Sequence, residues 1–216
     1  MKIALYGASG MIGSRVTKEA TERGLEITAI TRTGAEVPGA AANLKGDMGD
    51  AEFDRQVVAD HDVIVSTTGP SRTGAPHEEW LQALETLAQA SGDKRVFVVG
   101  GAGSLFVGDT MLKDTEGFPE AYKAESETGT KALELMRAGN YSPWTLISPA
   151  PEIGPGERTG TYKTELETPA GDSISAEDFA VAMVDEIVDA KHIDARFTVA
   201  NRALQSLSRS DPAPRE

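Results

Sequence analysis

The sequence predicts an α/β chain, a doubly wound parallel sheet with helices on both faces. Three observations predict it. Short unbroken apolar runs alternate with amphipathic stretches of ten or more residues, the pattern of strands buried on both faces by crossover helices. A glycine-spaced segment separates the first run from the first amphipathic stretch. The alternation continues without an internal repeat to Trp144–Ser148, and the pattern changes after Pro149.

In chain order, Ile3–Tyr6 reads as a buried strand ending at glycine, followed by a helix with Met11, Ile12, Val16 and Ala20 on one face and Gly24 as its stop. Leu25–Thr31 is the second strand, which completes a βαβ unit of the usual size. Asn43–Gly46 is a short strand, and Asp50–Ala59 a helix with Phe53, Val57 and Val58 inward. Asp62–Ser66 is a strand, Glu78–Ala90 a helix carrying Trp80, Leu81, Leu84 and Leu87, and Arg95–Val99 a strand. Glu120–Ala138 is a helix and Trp144–Ser148 a strand. Residues 107–119 read as a loop long enough to act as a lid. After Pro149 the segment PAPEIGPGERTGTY reads as a long loop, Ser175–Ala190 as a helix with Ser175 at its N-cap, and Arg196–Ala200 as the last strand. The expectation is one domain over 1–201, with 149–201 forming a small C-terminal extension on the substrate side and 202–216 a frayed tail.

Composition bounds the function. The chain has 216 residues, 39% hydrophobic and 25% charged, which excludes wholesale disorder. No apolar run approaches the roughly 18 residues that span a bilayer, and the short apolar start is unlike a signal peptide. With no cysteine there is no disulfide framework and no thiolate nucleophile, and the cytoplasm is the expected compartment. The net charge of −13, more acidic in the second half, opposes direct binding of nucleic acid or an anionic membrane. His61, His77 and His192 have no second ligand at metal spacing, so no metal site is expected, and His77, which opens a helix, is expected at solvent.

Gly7, Gly10 and Gly13 form G-x-x-G-x-x-G at the first strand–helix junction, the Rossmann-type arrangement. The first glycine permits a sharp turn, the second a close backbone approach to a pyrophosphate, and the third tight packing of helix on sheet. The second strand ends in Thr31, Arg32 and Thr33, with no acid before Glu36. An acid there would bond the ribose hydroxyls of NAD, whereas a guanidinium grips a 2′-phosphate. Arg32, with Arg15 on the first turn of the helix, therefore favours NADP(H) over NAD(H).

On these residues the chain resembles the atypical short-chain dehydrogenase/reductases, in particular the small NAD(P)H-binding group of flavin/biliverdin reductases and NmrA-like proteins. GASGMIG matches the family's glycine motif, which implies cofactor contacts at Gly7, Ser9, Gly10, Met11, Ile12 and Gly13. GDMGD matches the segment after the third strand, with Asp47 and Met48 at the adenine. STTG, with Thr67, Thr68 and Gly69, matches the stretch beside the cofactor ribose, and VVGGAGSL, with Gly100 and Gly101, the substrate-side turn. The chain departs from the wider superfamily in one respect. Four residues beyond Tyr6, Tyr122, Tyr141 and Tyr162 stand Gly10, Ser126, Thr145 and Leu166, so no Tyr-x-x-x-Lys pair exists.

Ser104 and Glu152 remain as catalytic candidates. Ser104 is a hydrogen-bond donor in the substrate-side turn, and Glu152 stands nearest the position where the flavin/biliverdin reductases carry a histidine. Tyr122 is expected at the surface. The resemblance implies an NADPH-dependent reductase of a planar acceptor such as a flavin or quinone, which can take its proton from water. The missing pair also fits a non-catalytic NADP(H) sensor that reports to a protein partner. An epimerase or isomerase of a nucleotide-linked substrate is the third reading.

Overall fold

The structure, a computed structural model, describes residues 1–141 and 143–201; the predicted tail lies outside the described residues. The strands are β1 (Lys2–Tyr6), β2 (Glu26–Thr31), β3 (Ala42–Lys45), β4 (Val63–Ser66), β5 (Arg95–Val99), β6 (Phe106–Val107), β7 (Thr110–Met111), β8 (Trp144–Pro149), β9 (Glu152–Gly154), β10 (Tyr162–Glu165), β11 (Ser173–Ser175) and β12 (Ala195–Asn201). The helices are α1 (Met11–Glu22), α2 (Ala51–Asp60), α3 (His77–Ser91), α4 (Glu120–Ala138) and α5 (Ala176–Asp189).

The central sheet has eight strands in the order β10-β12-β8-β5-β4-β1-β2-β3. Every pair is parallel except β10 with β12. The chain runs outward from β1 through β2 to β3, then returns to β4 and proceeds the other way. The reversal places a crevice beyond the carboxyl ends of β1 and β4, where open α/β sheets hold their ligands. Tyr6 and Ser66, which end these strands, stand side by side.

Alternation along the strands divides the core. Ile3 and Leu5 pack with Val16 and Ala20 of α1 and with Phe179 and Met183 of α5. Ala4 and Tyr6 pack on the opposite face with Val57 of α2, Leu84 and Leu87 of α3, and Ala132 and Met136 of α4. The helix ends follow their caps. Asp50 accepts from the amides of Glu52 and Phe53 at the start of α2, and Ser175 accepts from Asp178 N at the start of α5. Gly24, at φ +76°, turns the chain out of α1 as predicted.

The two predicted long loops contain structure. Residues 107–119 hold β7 and a turn of 3-10 helix at Leu112–Asp114, and the amides of Leu112 and Lys113 bond back to the carbonyls of Leu105 and Gly103. The segment after Pro149 holds β9, which pairs in parallel with β11, and leads into β10 on the sheet edge. These pieces are two to four residues long and, apart from Ile174, exposed or half-buried, so no run of alternating apolar residues marks them.

Candidate functional site

The glycine loop builds itself. Gly7 takes φ +77°, and Gly10 N donates to Gly7 O at 2.9 Å to close the turn. A Cβ on Gly7 would stand 2.9 Å from Thr67 Oγ1, and one on Gly13 only 2.2 Å from Gly7 O. No side chain caps α1 and no acid stands in its first turn. Its amide end therefore keeps the positive pole that holds a diphosphate. Ser9, Gly10 and Met11 are exposed around it, Met11 at 42%.

The STTG and GDMGD segments form the adjoining wall. Thr67 Oγ1 donates to Tyr6 O at 2.9 Å and so ties the end of β4 to the end of β1. Thr68 Oγ1 accepts from the Trp80 indole N–H at 3.0 Å and shares a hydrogen bond with Ser66 Oγ at 2.8 Å. Trp80, which stands among the leucines of α3, is half-buried against the core and turns its N–H to this wall. Met48 is buried with its sulfur against the hydroxyls of Ser66 and Thr68, while Asp47 is exposed. Beneath them Asp54, fully buried, accepts from Tyr6 Oη at 2.7 Å and from Gly49 N at 3.0 Å. Burial pushes both the Tyr6 phenol and the Asp54 carboxyl above their ordinary ranges.

At the end of β2, Arg32 and Thr33 are exposed. The Arg32 guanidinium has no hydrogen-bond or ion-pair partner among the described residues. Arg15, expected beside it, is already engaged: Nε donates to Glu177 Oε1 at 2.6 Å and Nη1 to Met11 O at 2.8 Å.

On the substrate side, Gly100 and Gly101 are half-buried at the end of β5. A Cβ on Gly100 would meet Leu146 Cδ2 at 2.5 Å, and α4 passes so close that a Cβ on Gly129 would stand 3.8 Å from Gly101 N. Ser104 lies under this turn at 4% exposure, its Oγ accepting from Arg196 Nη1 at 2.9 Å. Arg196, on β12, is itself buried and also bonds Glu167. Glu152 is exposed on β9, and its amide donates to Asp172 O. Tyr122 is 60% exposed, as expected.

His77, expected at solvent, is half-buried instead, with Nε2 donating to Ser71 O at 3.1 Å and Nδ1 sharing a hydrogen bond with Thr128 Oγ1 at 2.8 Å. Neither partner is adjacent in sequence, so spacing gave no sign of it. Among the described residues no group of three or more His, Cys, Asp or Glu could hold a metal ion, and no helix is long and apolar enough to cross a membrane.

A glycine turn leading into an uncapped helix start, at the reversal point of a parallel sheet, defines a dinucleotide-binding α/β protein. The sequence matches the NAD(P)H-binding family over residues 7–190, and the chain belongs to that family. It is 37% identical to the Bacillus subtilis (strain 168) protein YwnB, over 94% of this chain and 100% of that one. It is similar to a crystal structure from Burkholderia pseudomallei, provisionally named an exported protein, with 39% identity, TM-score 0.83, and 93% and 99% of the two chains covered. A Streptococcus pneumoniae TIGR4 structure, provisionally named an NADH-flavin reductase, is 31% identical with TM-score 0.83, covering 94% of this chain and 100% of that one.

Proposed function

We propose that the protein is an NADPH-dependent reductase of a planar small-molecule acceptor, a flavin or a quinone. The observation that carries this reading is the exposed, uncapped glycine turn at the start of α1 with an unpaired arginine, and no acid, at the end of β2. The name of the Streptococcus relative supports a flavin as acceptor. In this reading the amides from Gly10 to Gly13 hold the diphosphate, Arg32 and Thr33 the 2′-phosphate, and Met48 the adenine. Thr67, Thr68 and Gly69 run beside the ribose, and Gly100 and Gly101 give the acceptor side a flat floor. Arg15 contributes only if Glu177 releases it.

The dinucleotide would supply the hydride, and the chain's own residues would position it. Three of the four tyrosine hydroxyls donate to carboxylates: Tyr6 to Asp54, Tyr141 to Glu85 and Tyr162 to Asp185. Burial first, then these carboxylates, raises all three phenols, which makes them poorer acids. An acceptor that takes its proton from water fits such a site, whereas a ketone that needs a strong protein acid does not.

The test is NADPH oxidation by purified protein with FMN and simple quinones. Turnover above background is expected. Tight NADPH binding without turnover across the panel would replace this reading with a dinucleotide sensor. Arg32→Ala is expected to weaken NADPH by about tenfold or more, the worth of a charge-assisted phosphate contact, and NADH much less. An equal loss for both coenzymes would remove Arg32 from the phosphate site.

A further inference from the structure

The β4–α3 connection carries an arginine that the dinucleotide reading leaves unused. Arg72 stands three residues beyond Gly69, within about 10 Å of chain from the wall of the cleft. It reaches across to α4 and grips Glu125 with a two-pronged fork, Nε to Oε2 at 3.2 Å and Nη2 to Oε1 at 2.6 Å. Glu125, Thr128 and Gly129 share one face of α4, and Gly129 is the residue packed against Gly101. The ion pair therefore joins the loop after β4 to α4, whose Gly129 lies against the turn after β5.

The loop that bears Arg72 is built. Ser71 Oγ accepts from the amides of Thr73 and Ala75, both at 3.2 Å. His77 joins Ser71 O to Thr128 of α4. These bonds fix the stem of the loop, while the Arg72 side chain remains 80% exposed. An exposed ion pair is worth roughly 0–1 kcal/mol, so exchanging its carboxylate for an incoming anion costs little. A chain with net charge −13 repels anions, so recognition of one near the cleft requires a placed cation.

We propose that Arg72 recognises an anionic group on the acceptor, a phosphate or carboxylate carried beside the planar ring, and that Glu125 occupies its fork until the acceptor displaces it. This rests on the reductase reading and narrows its substrate class.

The experiment uses matched pairs that differ only in charge: FMN against riboflavin for a phosphate, and a carboxylate-bearing naphthoquinone against its uncharged parent. The wild type is expected to favour the anionic member of at least one pair. Arg72→Ala should cut that preference, read as a ratio of KM values, by about tenfold, the worth of a hydrogen bond to a charged group. Glu125→Gln should enlarge it, with kcat and the NADPH Kd unmoved in both variants. Should no acceptor turn over, fluorescence titration of FMN and riboflavin onto NADP-loaded protein reads the same preference independently of catalysis. A preference abolished by Arg72→Ala upholds the site. No preference in either pair, or an NADPH Kd that weakens together with it in Arg72→Ala, overturns it.

Discussion

Two glycine-bearing turns flank the cleft, and they differ in how much of their support comes from outside. The turn after β1 is fixed from within: Gly7 supplies the positive φ, Gly10 closes the hydrogen bond, and Gly13 leaves room for the carbonyl of Gly7. The turn after β5 closes one bond of its own, Leu105 N to Ala102 O at 3.0 Å, and takes the rest of its support from outside. Leu105 is fully buried, Ser104 is held by Arg196 from β12, and Phe106 N donates to Glu167 O. A self-built turn keeps its shape wherever the fold supplies a strand and a helix. A turn held by remote side chains can be reshaped for a new acceptor without disturbing the cofactor cradle.

The sharpest way to break this contrast is to add one methyl group to each turn. In Gly13→Ala the new Cβ meets backbone atoms, Gly7 O at 2.2 Å and Ala8 Cα at 2.7 Å, which cannot swing aside. The expected cost is about 3 kcal/mol or more, together with loss of NADPH binding by calorimetry. In Gly101→Ala the Cβ meets nothing within 4 Å, and stability is expected within about 0.5 kcal/mol of wild type by urea melts. Equal losses in the two variants would erase the distinction.

A second prediction concerns the outside supports. Among the described residues, the fully buried Arg196 side chain has Glu167 as its only carboxylate partner, and its Nε has no hydrogen-bond partner. Glu167→Ala leaves that guanidinium buried with only Ser104, at an expected cost of about 3 kcal/mol. Adding Arg196→Met removes the stranded charge and should recover part of the loss, because a packed apolar side chain can stand where an unpaired buried charge is costly. A double variant less stable than Glu167→Ala alone would show that packing, not charge, holds this turn.

The same contrast explains what the sequence made legible. The strands, the helices and the glycine cradle are decided by residues within a few positions of one another, and periodicity and glycine spacing report them directly. The Tyr6–Asp54 and Ser104–Arg196 bonds join residues 48 and 92 positions apart, and no local pattern encodes them. A faint signal existed for Arg196, a charged residue inside the otherwise strand-like run RFTVA. Trp80 stands at helical spacing among leucines, the same pattern as a core residue. Only the fold shows its N–H turned to Thr68. Arg15 and Arg32 look equivalent in sequence, and only the packing of α5 against α1 separates them, through Glu177.

The smallest effect expected lies where the two regions are bolted together. Glu19 of α1, at 4% exposure, accepts from Arg158 of the segment after β9 at 2.7 and 2.8 Å and from Arg23 at 2.8 Å. Arg158 above all, with Arg23, holds the Glu19 carboxyl below its usual value of 4.5 against the opposing effect of burial. A carboxyl lowered by folding contributes stability that is complete above its unfolded pKa and drains away as pH falls through the folded one. The stability difference between wild type and Glu19→Gln should therefore be flat near neutrality, on the order of 1 kcal/mol because Arg158 is half in solvent. It should narrow steadily below the usual carboxylate value. Urea melts at several pH values measure it directly. A difference that widened in acid would reverse the assignment and leave α1 tied to the late segment by packing alone.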